Sequence, residues 1–570
     1  MRNTNSYFSV ASDVRVPRSR WRAPYNNKFT MSAGKLYPFI CMEVLPGDTI
    51  TLDDMSTLTR MSTPIHPVMD NLYRDDYFFF VPNRLVMDDW KAFMGENTDG
   101  EWTTSQPDIS MPMLYLNKGM LAGAQAKSLA DYMGVPTWHN DQQFISEEYT
   151  ARIQALPFRA YCLIWNEWFR NQATHPPIPI FKDNQSRALS TQFDPSDPED
   201  YKLSAQFGGA LAPVAKFADY FVSALPEPQR GEDVLIGSLS NSVTSVYAND
   251  DFSLTDFGDV DYLKVTDENG FPLSYTNAPL TSSEGYLSYY SGGSDVPSSP
   301  DGPVNLGNLG FRNNQLDITI NQLRQAFAVQ RFLEKQAQYG SRYTEMIRSF
   351  FGVTSPDSRL QRPEFLGGSR QNIVIQQVLQ TSSTDSTSPQ GNTAAFSLTA
   401  NRKPNVFQYS ATEHGFIIGL TCIRSAQTYA YGLRRMFTRE DKLDYYFPTF
   451  ANIGNTPIYN KELYQSFTSE DDEVFGYQEA WAEYRYLPSQ VCGEFRPQYE
   501  QSLDSWHYAE KLDSTPTLSE SFINQSALPI DRTLAVSSTL ADQFICDFQL
   551  QFNMVRCMPV YSKPGLVDHH

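Results

Sequence analysis

The sequence predicts a mainly β fold carrying inserted helices and long, ordered connections. Three observations lead there. The 570 residues include 32 Tyr and 37 Phe but only 19% charged side chains, a balance suited to pleated, half-buried surfaces. The 36 Pro and 31 Gly are spread along the chain, so turns interrupt it throughout. Several short segments alternate apolar and polar residues, the period of a strand with one buried face. At this length one large elaborated domain, or two to three domains, is expected.

Residues 1–42 hold Arg2, Arg15, Arg18, Arg20, Arg22, Lys28 and Lys35 against Asp13 alone, a net of +6, with little apolar periodicity before Leu36. They read as an extended basic arm that either meets phosphate or staples a neighbouring chain. Residues 43–236 form the first part of the β fold. Strand candidates Leu36–Val44 and Asp76–Val81 are separated by the turn-forming Pro46-Gly47-Asp48 and Pro64. From Lys118 to Asn171 the pattern becomes helical. Tyr161, Ile164, Trp165, Trp168 and Phe169 share a face there, a stripe better suited to core packing than to a ligand cleft.

Residues 237–315 shift to Ser, Gly, Asn, Asp and Tyr. Between Gly231 and Gln315, 12 acids oppose only Lys264 and Arg312, a net of −10 that is half of the whole chain's −20. So polar a segment buries little of its own surface and should project into solvent with a few short strands. Tyr286, Tyr289 and Tyr290 near its middle are recognition candidates, because Tyr among Ser and Gly favours contact.

Residues 316–570 open with a helix pair. Leu323, Ala326, Val329, Leu333 and Ala337 step by three or four, which predicts a buried helical element. Gly340 interrupts it; Tyr343, Met346, Ile347 and Phe350 resume it; Gly352 and Pro356 stop it. Ile373–Thr381, Val406–Arg424, Gln427–Leu433 and Leu534–Val555 then alternate as strands do, with aromatic, proline-punctuated loops between 434 and 530.

Several function classes fit poorly. A net charge of −20 argues against nucleic-acid binding by the surface as a whole. No stretch approaches the ~18 apolar residues of a membrane span, and the N-terminal MRNTNSYFSV lacks an export signal's apolar core, so assembly in a cytoplasm is expected. The six cysteines, at 41, 162, 422, 492, 546 and 557, have neither zinc nor disulfide spacing and read as free buried thiols. There is no P-loop, HExxH, GxSxG elbow or dinucleotide fingerprint, and Asp256-Phe257-Gly258 lacks the other kinase motifs. No catalytic residue and no cofactor are expected. The carboxylates of Asp250–Asp261 would suit a divalent cation such as calcium but lack EF-hand order, so a plain acidic loop is the better reading. The alternative class is a carbohydrate-active or carbohydrate-binding β-rich protein, in which two acids would face each other across a cleft.

Long words carry a sharper signal. GKLYPF at Gly34–Phe39, EVLPGDT at Glu43–Thr49, MSTPIHPVMDNL at Met61–Leu72 and YFFFVPNR at Tyr77–Arg84 are followed by DYFVSALPEPQRG at Asp219–Gly231. GSRYTE and SPDSRLQRPEFLGG then lie within Ile320–Gly368, with FGYQEAWAEYRYLPS at Phe475–Ser489, SWH at Ser505–His507 and MPVYSKPGLVD at Met558–Asp568. In these words and this order, over roughly two thirds of its length, the chain resembles the major capsid proteins of microviruses, small icosahedral single-stranded DNA phages of the gokushovirus type.

The resemblance implies an eight-stranded antiparallel jelly roll. It also implies a T=1 virion shell of sixty copies, assembled via pentamers around circular single-stranded DNA. Arg15, Arg18, Arg20 and Arg22 would then face DNA, and 237–315 would form a protrusion at the three-fold axes that meets a host-cell receptor. In such a shell the aromatic loops are candidates for subunit interfaces, as are Arg359, Arg362, Arg434 and Arg435, the arginines equally for braces within one subunit. Sixty inward arms would supply roughly 360 positive charges, about a tenth of what a genome of several thousand nucleotides carries. A small basic DNA-binding protein, polyamines or divalent cations are expected inside, and an internal scaffolding protein during assembly.

Overall fold

The structure, a computed structural model, describes residues 16–561 except 97–108, 117–123, 138–151, 191–196, 198, 375–376, 380–392 and 397–398. Between 232 and 319 it describes only residue 234 and short strands. Two compact units emerge, Gly231–Leu333 and the remainder of the chain.

The larger unit is built on eight long strands: β1 (Ser19–Met31), β2 (Tyr37–Val44), β3 (Thr49–Met61), β4 (Leu72–Pro82), β5 (Glu364–Ile373), β6 (Thr399–Ser410), β7 (Gly415–Ser425) and β8 (Phe544–Arg556). They form two four-stranded sheets, ordered β1-β8-β3-β6 and β5-β4-β7-β2. Every pairing is antiparallel. Strand 1 therefore pairs with 8, 2 with 7, 3 with 6 and 4 with 5. That nesting over two sheets is the connectivity of an eight-stranded jelly roll.

Side-chain pattern explains which sheet has one wet face. In β8, Phe544, Cys546, Phe548, Leu550 and Phe552 are buried while Ile545 and Gln549 are exposed, and β3 alternates likewise. The first sheet thus turns a polar face outward. The second sheet is covered on both sides, so β4 and β7 are buried almost throughout, β4 with the apolar run Phe78–Val81 and the buried charges Arg74, Asp75 and Asp76. One side meets the first sheet, as where the Phe39 and Phe548 rings lie 4.7 Å apart. The other meets α1 (Leu156–Ile164) and the wider turn Trp165–Phe169 that continues it. There Phe169 packs on Tyr77 at 5.2 Å and Trp168 on Phe79 at 5.4 Å. Full burial of a ring such as Phe79 is worth about 1.5–3 kcal/mol, and the partly buried Tyr77, Trp168 and Phe169 contribute less each. Two polar tips anchor the helix: Tyr161 donates to the Leu36 carbonyl at 2.8 Å, and the Trp165 indole to that of Pro213 at 2.7 Å.

Several expectations need correction. Thirteen residues of the expected arm are β1, an edge strand whose Trp21, Ala23 and Phe29 turn inward between exposed Arg20, Arg22 and Lys28. Gln427–Leu433 is irregular, and its β-type pairing among the described residues is a single isolated bridge between Tyr429 and Gln490. The strand expected from Leu534 begins at Phe544, and Val406–Arg424 is two strands turning near Ala411. Arg152–Gln154 is a short strand rather than the start of α1. The helix α2 (Ile320–Tyr339) forms as expected, but no described side chain on it is fully buried. Three of the six free thiols, Cys162, Cys422 and Cys546, are buried; Cys492 is exposed.

Within the smaller unit the described strands also nest. Val246–Ala248 pairs with Leu309–Phe311, and Val265–Thr266 with Asn305–Leu306. Leu280–Ser283 pairs with Tyr286–Tyr289, which in turn pairs with Gly302–Pro303. Tyr286 and Tyr289 are thus the ends of one short strand; Tyr290 and the carboxylate loop Asp250–Asp261 lie outside the described residues.

Candidate interaction surfaces

The outward face of the first sheet is polar and carries cations beside fewer carboxylates. Alternation along β1 puts Arg20, Arg22 and Lys28 on it, and Arg60 of β3 and Arg402 of β6 extend the positive character. Arg20 Nε donates to Asn553 Oδ1 at 2.5 Å, Lys28 sits 3.5 Å from Asp547, and Arg402 binds Asp54 at 2.9 Å. These pairs are solvent-exposed and contribute little stability. Their cations stay free to exchange partners. Arg18 is exposed just before β1 and lies against Gly47; Arg15 falls outside the described residues. Two of the four arm arginines, Arg20 and Arg22, therefore share one strand face.

The four other arginines separate. Arg362 is an internal brace: its guanidinium lies 3.9 Å over the Trp168 ring, 3.3 Å from Asp357, and donates to Thr344 at 3.1 Å. Arg359, in the turn just before it, is exposed. Arg435 donates to the Pro457 carbonyl at 3.2 Å and stands 3.8 Å from buried Glu462. Burial pushes the Glu462 carboxyl above its ordinary range, while Arg435 and the Tyr220 hydroxyl, donating at 3.1 Å, pull it back. Arg434 donates to the Pro488 carbonyl at 3.5 Å. Arg362 and Arg435 thus act within one chain, and Arg359 is the clearest of the four to remain outward.

Within the aromatic loops expected between 434 and 530 the structure exposes an apolar surface whose extent the sequence did not define. Residues 436–453 and 484–487 carry exposed Met436, Phe437, Leu443, Tyr446 and Leu487 among other large apolar side chains. The available signal was the run Tyr445-Tyr446-Phe447-Pro448-Thr449-Phe450, whose aromatics follow neither a helical nor a strand period. Among the described residues, no group of three or more His, Cys, Asp or Glu converges as metal ligands do. No described helix is long and apolar enough to cross a membrane.

Comparison with known proteins agrees with this architecture from end to end. The family profile described as capsid protein (F protein) matches residues 9–566. The chain is 38% identical over 616 aligned residues to capsid protein VP1 of Chlamydia phage 1, covering 98% of this chain and 97% of the relative. It is 35% identical over 565 residues to capsid protein VP1 of Bdellovibrio phage phiMH2K, covering 99% and 98%. It is 34% identical over 589 residues to capsid protein VP1 of Spiroplasma virus 4, covering 98% and 97%. A nested eight-stranded jelly roll whose full length aligns with phage capsid proteins leads to one assignment: this chain belongs to the capsid protein (F protein) family.

Proposed function

We propose that this chain is the repeating structural subunit of a virion, sixty copies closing through pentamers into a T=1 shell around circular single-stranded DNA. The observation that carries the reading is the pairing of a complete jelly roll with near-total coverage of three phage capsid proteins. Its function is mechanical: copies tile, seal and protect, and no side chain is asked to do covalent chemistry. The cationic face of the first sheet would turn toward DNA, where Arg20, Arg22 and Lys28 exchange their weak partners for phosphate. Cations this few would leave most of the genome's charge to a small basic protein or to counterions, and a scaffolding protein would guide closure. The acidic 237–315 excursion, with Tyr286 and Tyr289 on one strand, would project outward and take part in host-cell attachment.

Electron microscopy of the expressed chain tests this. Closed particles of uniform diameter, or pentameric rings, are expected; a monomer at every concentration contradicts the proposal and is the result a carbohydrate-binding protein would give. In particles that do form, Arg20→Ala/Arg22→Ala/Lys28→Ala should lower packaged DNA, and unchanged packaging removes the DNA role from this face.

A further inference from the structure

We propose that the aromatic ridge formed by residues 436–453 and 484–487 is the surface through which one copy of this chain grips the next. The inference rests on the shell reading above and says which face does the work.

The size of the exposed apolar area carries the argument. Eleven large apolar side chains in these two segments are more than one-third exposed, Phe437 at 67% and Leu487 at 82%. At roughly 200 Å² per side chain and about half exposed, they present about 1,000 Å² of apolar surface. The largest apolar patch on a typical soluble monomer is about 300–600 Å². One partner of a standard protein interface contributes about 800 Å². The ridge thus exceeds what a free chain tolerates and matches what a stable contact uses.

The ridge is also held in place. Arg439 lies between the Tyr445 and Tyr484 rings, 5.2 and 4.5 Å from their centroids, and binds Glu483 at 3.1 Å beneath them. Tyr446 packs edge-on against Trp481 at 5.6 Å, and the Trp481 indole donates to the Phe450 carbonyl at 2.9 Å. Two hollows that share Arg435, Arg439 and Glu483 open beside it. One, of about 220 Å³, is edged by Met436, Tyr486 and Leu487; the other, of about 390 Å³, by Leu443, Phe450 and Ile453. Ridge and hollows are fixed before contact, so docking orders few side chains.

Charge points to a second copy as the occupant. Within the ridge Arg439, Lys442 and Arg485 are matched by Glu440, Asp441 and Asp444, leaving it with no net charge. A nucleic acid or an anionic membrane would be met by a clear cationic excess. Another copy of an acidic chain is met best by a surface that does not add to mutual repulsion.

Two measurements test it on the full chain. In hydroxyl-radical footprinting, Met436, Phe437 and Leu487 should be labelled about fivefold less in assembled particles than in the dissociated chain, as core interface residues are. Equal labelling overturns the proposal. Phe437→Glu/Leu487→Glu, at positions that bury little in the single chain, should fold with unchanged circular dichroism yet yield no particles. Particles of normal diameter and yield from that variant also overturn it. Failure of the unaltered chain to assemble at all would instead remove the shell reading beneath it.

Discussion

Arg74 is 1% exposed on β4, between the two sheets, and should be the costliest single residue to remove. Its guanidinium binds the fully buried Asp76 at 3.1 Å and donates to Thr57 at 2.6 Å and Thr59 at 2.5 Å, both on β3 of the facing sheet. Gln371 of β5 accepts from it as well, and the Phe548 ring of β8 lies 4.8 Å away. Asp76 takes further hydrogen bonds from Thr421 at 2.8 Å and Ser369 at 3.1 Å. Four strands besides β4 thus meet at one ion pair. Replacing Arg74 with Met leaves the packing volume nearly intact but strands a carboxylate in the sandwich, which costs about 3–5 kcal/mol. With a slope of about 2–3 kcal/mol per molar urea, the unfolding midpoint should fall by about 1–2.5 M. Adding Asp76→Asn removes the stranded charge while keeping the Thr421 and Ser369 contacts. The double variant should therefore recover much of the loss, with about 1–3 kcal/mol remaining for unpaired hydroxyl and amide groups. The assay is urea unfolding of unassembled chain followed by tryptophan fluorescence. Equal midpoints for Arg74→Met and Arg74→Met/Asp76→Asn would show that charge burial is not what the pair controls.

Three further outcomes follow from the geometry. His175 is buried with Nε2 2.9 Å from Asn524 Oδ1 and Nδ1 2.8 Å from the Thr174 hydroxyl, a set the neutral ring satisfies; burial holds its pKa below the ordinary 6.5 despite Glu520 at 3.9 Å. The folded state thus binds fewer protons than the unfolded one, so this contribution is full above about pH 6.5 and lost as pH falls through the depressed value; His175→Gln should flatten the urea midpoint over that window. Gly34 has φ of +85°, and an added Cβ would stand 1.9 Å from the Gln525 carbonyl oxygen, so Gly34→Ala should destabilise by at least about 1–2 kcal/mol and lower the thermal midpoint; an unchanged midpoint refutes the strain. In native protein at pH 8, iodoacetamide should modify Cys492 first, whereas Cys422 and Cys546, pushed up to about 12 chiefly by burial, should react only after unfolding, as read by mass spectrometry.

The strands legible in the sequence were those with the least ambiguous surroundings. β2 and β4 carry dense apolar runs, and Phe416–Ile423 in β7 is continuous because that strand is covered on both faces. β1 was hidden because Arg20, Arg22 and Lys28 outweigh Trp21, Ala23 and Phe29 when charge is read before period. Gln427–Leu433 shows the reverse error: alternation is necessary for a half-buried strand but supplies no partner, and none of the long strands pairs with it. Arg362 and Arg435 could not be sorted from sequence because their decisive neighbours, Trp168 and Glu462, come from elsewhere in the chain. The aromatic ridge was legible only as composition, since exposure depends on the whole fold.

The most direct test of the account is the mass of the species this chain forms, measured by analytical ultracentrifugation or native mass spectrometry. Sixty chains of 64.8 kDa predict a closed particle with a protein mass of about 3.9 MDa. A single species near the mass of one chain, unchanged as concentration rises, would contradict it.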